Sequence, residues 1–230
     1  MSGSRQPYAR RSKERPAQVT YCIVVEGERT EKNYFTDAKT EFQQLQRKRM
    51  LERINAGQHN VVAAVLTVEV AGGRSFENVV RKALDQVGLG YKKIWCVVDA
   101  DFYVRLQGKQ RRDADATYRS ALEAGIDIIF SRPCFEVWYR HHFNPDSSAL
   151  VDGDRAKKEV QRIWPEYLTK PERHWELLRD RLPDHALPNA RRVRTAHGRR
   201  PVEECDSSTD VDWLIYELFC QIDPNDPTTV

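Results

Sequence analysis

Four stretches of the chain, residues 19–25, 61–70, 94–98 and 126–130, are almost continuously apolar and rich in β-branched or aromatic residues. Unbroken runs of this length suit strands covered on both faces. Between them the period changes. After Thr30, a residue suited to a helix N-cap, Tyr34, Ala38, Phe42 and Leu45 recur at spacings of four, four and three and predict a long helix reaching about Ala56. Phe76, Val79, Val80, Ala83, Leu84 and Val87 form a second stripe, opened by Ser75 and ended by Gly88 and Gly90, and a third helix is expected over about 115–124. Alternation of strand and helix predicts a largely parallel sheet with crossover helices. Beyond Ser131 the β-like runs stop. Phe135, Val137, Trp138 and Tyr139, then Val160, Ile163 and Trp164, then Trp175, Leu177, Leu178 and Leu182, and last Trp213, Leu214, Tyr216, Leu218 and Phe219 read as helices, punctuated by Pro165, Pro171, Pro183 and Pro188. The expected organisation is a basic disordered tail over 1–18, an α/β core over 19–145, a helical extension packed on it over 146–222, and a flexible tail over 223–230.

With 230 residues, 40% of them hydrophobic and 31% charged, the chain can bury roughly 70% of its unfolded surface, which excludes fibrous and collagen-like classes. No apolar run approaches the ~18 residues of a membrane span. The N-terminal stretch carries charges but no apolar core of a secretory signal, so a cytoplasmic location is expected. Five cysteines (22, 96, 134, 205 and 220), odd in number and without a C-x-x-C spacing, point to reduced thiols and no zinc site.

The net charge of +3 is unevenly placed: residues 1–18 hold five Lys or Arg against Glu14, leaving −1 for the remainder. A second basic cluster, Arg191, Arg192, Arg194, Arg199 and Arg200, has no acid among residues 189–200. Such a cluster either neutralises nucleic-acid phosphates or forms a solvated helix face.

In an open parallel sheet, functional groups gather beyond the carboxyl ends of the strands. Two of the expected strands end in acids: the first in Glu26, followed by Gly27, Glu28, Arg29, Thr30 and Glu31, and the third in Asp99-Ala100-Asp101. If the chain is still extended there, Asp99 and Asp101 point the same way and face one hard cation. Glu28 and Glu31 read as first-turn helix residues. Gly72-Gly73-Arg74-Ser75 reads as a tight turn capped by Ser75, with a phosphate contact as the alternative; it is no P-loop. Cys134 has no partners that suggest a nucleophile. Adjacent His141 and His142 face different ways on a helix, leaving His142 as a lone candidate for a phosphate contact.

The stretch from Ile23 to Phe35, the Asp99-Ala100-Asp101 pair, and Ser131-Arg132-Pro133-Cys134-Phe135-Glu136-Val137-Trp138 with His142-Phe143 together resemble the RloB family, most closely over residues 19–145. The resemblance implies an α/β, Toprim-like fold, with a mostly parallel four-stranded sheet flanked by helices and a helical C-terminal extension. It also implies a Mg2+- (or Mn2+-) dependent nuclease of restriction and phage-defence loci that works beside a separate ATPase partner. Glu26 matches the Toprim glutamate, and Asp99 and Asp101 match the first two acids of the metal-binding motif. Tyr103 stands where a third acid is common, and Glu136 is the candidate substitute. Arg132 replaces an expected Asn. Arg29, Arg74, Arg105 and Arg132, with Arg191, Arg192 and Arg194, are the candidate nucleic-acid contacts. The rival reading is a catalytically silent Toprim-like subunit that binds nucleic acid or a partner. A haloacid-dehalogenase-like phosphatase fits poorly, since Asp99-x-Asp101 follows the third strand rather than the first.

Overall fold

The computed structural model describes residues 17–73, 75–144, 150 and 152–222. Residues 1–16 of the basic tail, Arg74 and the 223–230 tail lie outside them. Four strands, β1 (Gln18–Val25), β2 (Ala63–Val70), β3 (Tyr91–Asp99) and β4 (Ile126–Ser131), form one parallel sheet in the order β2-β1-β3-β4. All four coincide with the apolar runs. The runs are continuous because both faces are buried: Tyr21, Ile23, Val25, Trp95 and Val97 join one cluster, while Cys22, Val24, Ile94, Cys96 and Val98 join the other.

Helix α1 (Thr30–Asn55) covers the first face through Tyr34, Phe35, Ala38 and Phe42. Helix α2 (Phe76–Leu84) covers the second through Phe76, Val79, Val80 and Ala83. The first crossover runs from β1 outward to β2 and the second returns from β2 past β1 to β3, from where the sheet grows on to β4, so the strand order reverses between β1 and β3. That crevice is where an open α/β sheet places its ligands.

Local signals account for some of the boundaries and not for others. Ser75 caps α2 by accepting the Asn78 N–H at 3.2 Å. Thr30 is the first residue of α1 rather than its cap, a position taken by Arg29. Asp99 ends β3, and the chain turns at once into α3 (Ala100–Arg105), so the extended geometry expected for Asp99 and Asp101 is not found. Helix α4 (Gly108–Glu123) then starts well before residue 115.

Downstream come α5 (Glu136–His141), α6 (Gly153–Ile163), α7 (Glu166–Thr169), α8 (His174–Leu178), α9 (Leu187–His197) and α10 (Val211–Tyr216). Trp164, Tyr167, Trp175, Leu178, Leu214 and Leu218 belong to the same cluster as α1 and the sheet, so the extension shares the core instead of forming its own. Among the described residues no helix is long and apolar enough to cross a membrane.

Candidate functional site

Register fixes the first two acids. Val25 pairs with Val97, and Asp99 pairs with Ser131 of β4, so Glu26 and Asp99 emerge side by side at the carboxyl ends of adjacent strands. Glu26 Oε2 accepts the Asp99 N–H at 3.4 Å. The segment after β4 is stitched onto the same rim: the Phe135 N–H donates to Asp99 Oδ1 at 2.9 Å, and the Asp101 N–H donates to the Pro133 carbonyl at 3.1 Å. These bonds set the start of α5, whose first residue, Glu136, is buried. Its Oε1 accepts the Tyr167 hydroxyl at 2.6 Å. His174 holds Tyr167 in turn. Its Nε2 is 2.9 Å from the Tyr167 carbonyl, which can only accept, so that nitrogen carries the proton and Nδ1 accepts the Tyr139 hydroxyl at 3.0 Å.

Glu31 joins this rim, although its position in the first turn of α1 suggested only a macrodipole contact. It is buried at 8% exposure, and its carboxylate folds over Gly27, where any Cβ would collide with it. Burial pushes the Glu31 carboxyl up to about 7, with the charges of Glu136 and Glu26 adding to the effect and Lys157 opposing it. Burial likewise raises Asp99 well above the ordinary carboxylate range, followed by repulsion from Glu31, Glu26 and Glu136. Glu26, Glu31, Asp99 and Glu136 therefore share one electrostatic field. Lys157 of α6 answers it: its ammonium is stabilised first by Glu136.

Asp101 is set apart. Its carboxylate takes Arg105 Nη2 at 2.8 Å, toward a pocket that also receives Arg111 and Arg132. Tyr103, at the position of the missing acid, is buried. Its hydroxyl donates to Asp115 at 2.7 Å, and the Arg111 guanidinium stacks 4.2 Å over its ring.

The oxygen-only donor set suits a hard divalent cation such as Mg2+ or Mn2+, and four mutually repelling carboxylates at one rim are what such an ion relieves. By donor chemistry the residues fit. As the side chains stand, however, Asp99, Glu136 and Asp101 each turn an oxygen to a protein donor. Among the described residues no three His, Cys, Asp or Glu side chains already form a group able to hold a metal ion.

The remaining candidates are scattered. Arg29 is exposed at the head of α1, on the loop that leaves Glu26. Arg191 and Arg192 are exposed on α9, but Arg194 turns inward: its Nη1 donates to Asp212 Oδ1 at 2.8 Å, and it lies 5.2 Å from the Trp213 ring. Arg194 is thus a structural ion pair, not a phosphate ligand. His142 is fully buried with Nδ1 3.0 Å from the Trp138 carbonyl, and His141 is fully buried too, so neither reaches a phosphate at the surface. Cys134 is buried 3.9 Å from the Gly153 carbonyl, and burial pushes its thiol well up. Such a thiol packs; it does not attack.

A family model described as RloB-like protein matches residues 21–218. The match runs through the helical extension as well as the core, beyond the region that the motifs alone resemble. No curated protein and no solved structure matches the chain. From the first strand to the last helix, the chain belongs to the RloB-like protein family.

Proposed function

We propose that the chain is a nuclease that hydrolyses phosphodiester bonds of nucleic acid with the help of Mg2+ or Mn2+. The observation that carries this reading is the position of Asp99: at the reversal point of a parallel sheet, in a field raised by Glu26, Glu31 and Glu136. Glu26, Asp99 and Glu136, with Asp101 once released from Arg105, would hold the ion, which when bound polarises the scissile phosphate and acidifies water. The other roles belong to the protein. Glu31, buried in the same field and not among the residues that would hold the ion, is the rim carboxylate left to accept a proton. Tyr167 and the Phe135 N–H orient Glu136 and Asp99. Lys157, Arg29, Arg105 and Arg132 supply positive charge for the phosphodiester backbone.

By family resemblance, the activity serves defence against phage together with a separate ATPase. The sequence carries no P-loop, so ATP dependence would come from another polypeptide.

Cleavage of single- and double-stranded DNA and RNA, with Mg2+ or Mn2+ against EDTA, tests the proposal. Replacing Asp99 and Asp101 together by alanine is expected to abolish cation-dependent cleavage while circular dichroism stays unchanged; undiminished cleavage by that variant rejects it. A second reading has its own support in the Asp101–Arg105 pair and in Tyr103 at the third acid's place: a silent subunit that uses these acids for structure. Calorimetry separates the two, because the silent subunit takes up no Mn2+ at the rim.

A further inference from the structure

Beside the acid rim, on the far side of Asp101, lies an open pocket of about 540 Å3 lined by Asp101, Arg105, Arg111, Arg132, Glu203 and Glu204. Two of its guanidiniums are held in place. Arg111 stacks over Tyr103 and donates through Nε to Asp115 at 2.8 Å. Arg132 donates through Nε to Asp206 at 2.8 Å and through Nη1 to the Glu203 carbonyl at 2.6 Å. A planar fork anchored along one edge presents its remaining N–H groups in a fixed direction, which suits a phosphate.

Arg105 differs. Its side chain is 64% exposed, and its ion pair is with Asp101, a residue the metal would also need. The lining charges cancel, three arginines against three carboxylates, so the pocket as it stands has little attraction for an anion. A divalent cation on Asp101 would alter that balance by two charges and leave the Arg105 guanidinium without its carboxylate.

We propose that this pocket is a phosphate subsite for the nucleic-acid backbone next to the scissile bond, and that Arg105 is a placeholder on Asp101 that moves to the phosphate when a cation takes the carboxylate. Backbone binding in the pocket is then conditional on the cation. The onward path is marked by contacts: Arg132 pairs with Asp206, whose carbonyl lies 3.0 Å from His197 Nε2, and His197 Nδ1 lies 3.1 Å from Arg200 Nη2. A strand leaving the pocket in this direction reaches the exposed Arg199 and Arg200 beyond α9. This inference rests on the nuclease reading above.

The test uses the full chain and two readouts besides cleavage: Mn2+ uptake by calorimetry, and anisotropy of short fluorescent single-stranded oligonucleotides in Ca2+ and in EDTA. Arg111→Ala is expected to weaken oligonucleotide binding about tenfold in Ca2+ and to leave it unchanged in EDTA. Arg105→Ala should do the same while tightening Mn2+ uptake about threefold; Arg111→Ala, which removes a nearby positive charge without freeing Asp101, should tighten it less. Glu204→Gln, at an exposed position, should strengthen oligonucleotide binding. Equal losses in Ca2+ and EDTA, or matching effects of Arg105→Ala and Arg111→Ala on Mn2+, overturn the placeholder. A parent chain that takes up no Mn2+ overturns the nuclease reading along with it, whereas Mn2+-dependent cleavage untouched by all three variants sinks only the subsite.

Discussion

The backbone N–H of Phe135 donates to Asp99 Oδ1 at 2.9 Å across 36 residues of chain. One oxygen of a carboxylate whose charge is disfavoured by burial and by three other acids is thereby held by a neutral donor. Asparagine at this position retains the acceptor and sheds the charge. Asp99→Asn is therefore expected to be at least as stable as the parent at pH 7.5 in EDTA, and more stable than Asp99→Ala by about 1–3 kcal/mol, the cost of leaving the Phe135 N–H without a partner. Urea unfolding checks this; an Asn variant as weak as the Ala variant shows that the carboxylate charge supports the fold. Both variants lose cation uptake under the proposed function.

Glu31 gives a pH signature. Its folded-state value of about 7 stands above the ordinary 4.5, so between those values the native state binds more protons than the unfolded chain, and stability falls as pH rises through that window. The loss amounts to no more than roughly 3–4 kcal/mol. His141 and His142 work in the opposite sense: burial lowers both to about 3 from 6.5, so stability rises with pH up to about 6.5. The parent's profile mixes these trends, and the comparison with Glu31→Gln removes this acid together with its repulsion of Asp99. Relative to the parent, the variant should gain stability steadily from about pH 4.5 to 7 and then level off. A difference independent of pH would mean that Glu31 is charged in the native state throughout.

Gly27 makes room for that carboxylate. A Cβ at residue 27 meets the far end of the Glu31 side chain and not backbone, so Gly27→Ala can be accommodated by driving Glu31 out of its buried position. The expected result is a modest loss of stability, about 1 kcal/mol, that does not add to the effect of Glu31→Ala, because the double variant has no carboxylate left to displace. Strict additivity in the thermodynamic cycle would place the cost of Gly27→Ala elsewhere.

Much of this arrangement is readable in the sequence, and the parts that are not have physical causes. The four strands are legible because a sheet covered on both faces must be apolar at every position, and Glu26 and Asp99 are legible because they end such runs. Glu31 is not: a glutamate in a first helical turn has an ordinary explanation, and only the fold of its side chain over Gly27 shows that it is buried. Asp101 misleads because strand spacing is carried two residues too far; Ala100 and Asp101 already belong to a helix, which sends the second carboxylate toward Arg105. Tyr167 and Lys157 reach the rim from the extension, and pairings across such sequence distances leave no periodic trace.

Arg191, Arg192 and Arg194 look alike in the sequence and separate in the fold, which gives a last prediction. Arg194 donates through Nη1 and Nη2 to the two carboxylate oxygens of Asp212, itself only 5% exposed, and lies beside Trp213. Truncating one partner of a buried pair leaves the other charge without compensation, at a cost of about 3–5 kcal/mol. Arg194→Ala is therefore expected to lower stability by an amount in that range, and Arg194→Lys to recover only part of it, since an ammonium cannot make the two-pronged contact. Arg191 and Arg192 are exposed, so alanine at either should shift stability by less than about 0.5 kcal/mol while reducing the salt dependence of nucleic-acid binding, by roughly 0.7 in the logarithmic slope for each single-strand phosphate that is no longer neutralised. Unfolding curves and salt titrations on these four variants decide the matter. Unchanged salt slopes for Arg191→Ala and Arg192→Ala would leave α9 as a solvated face and confine nucleic-acid binding to the pocket beside Asp101.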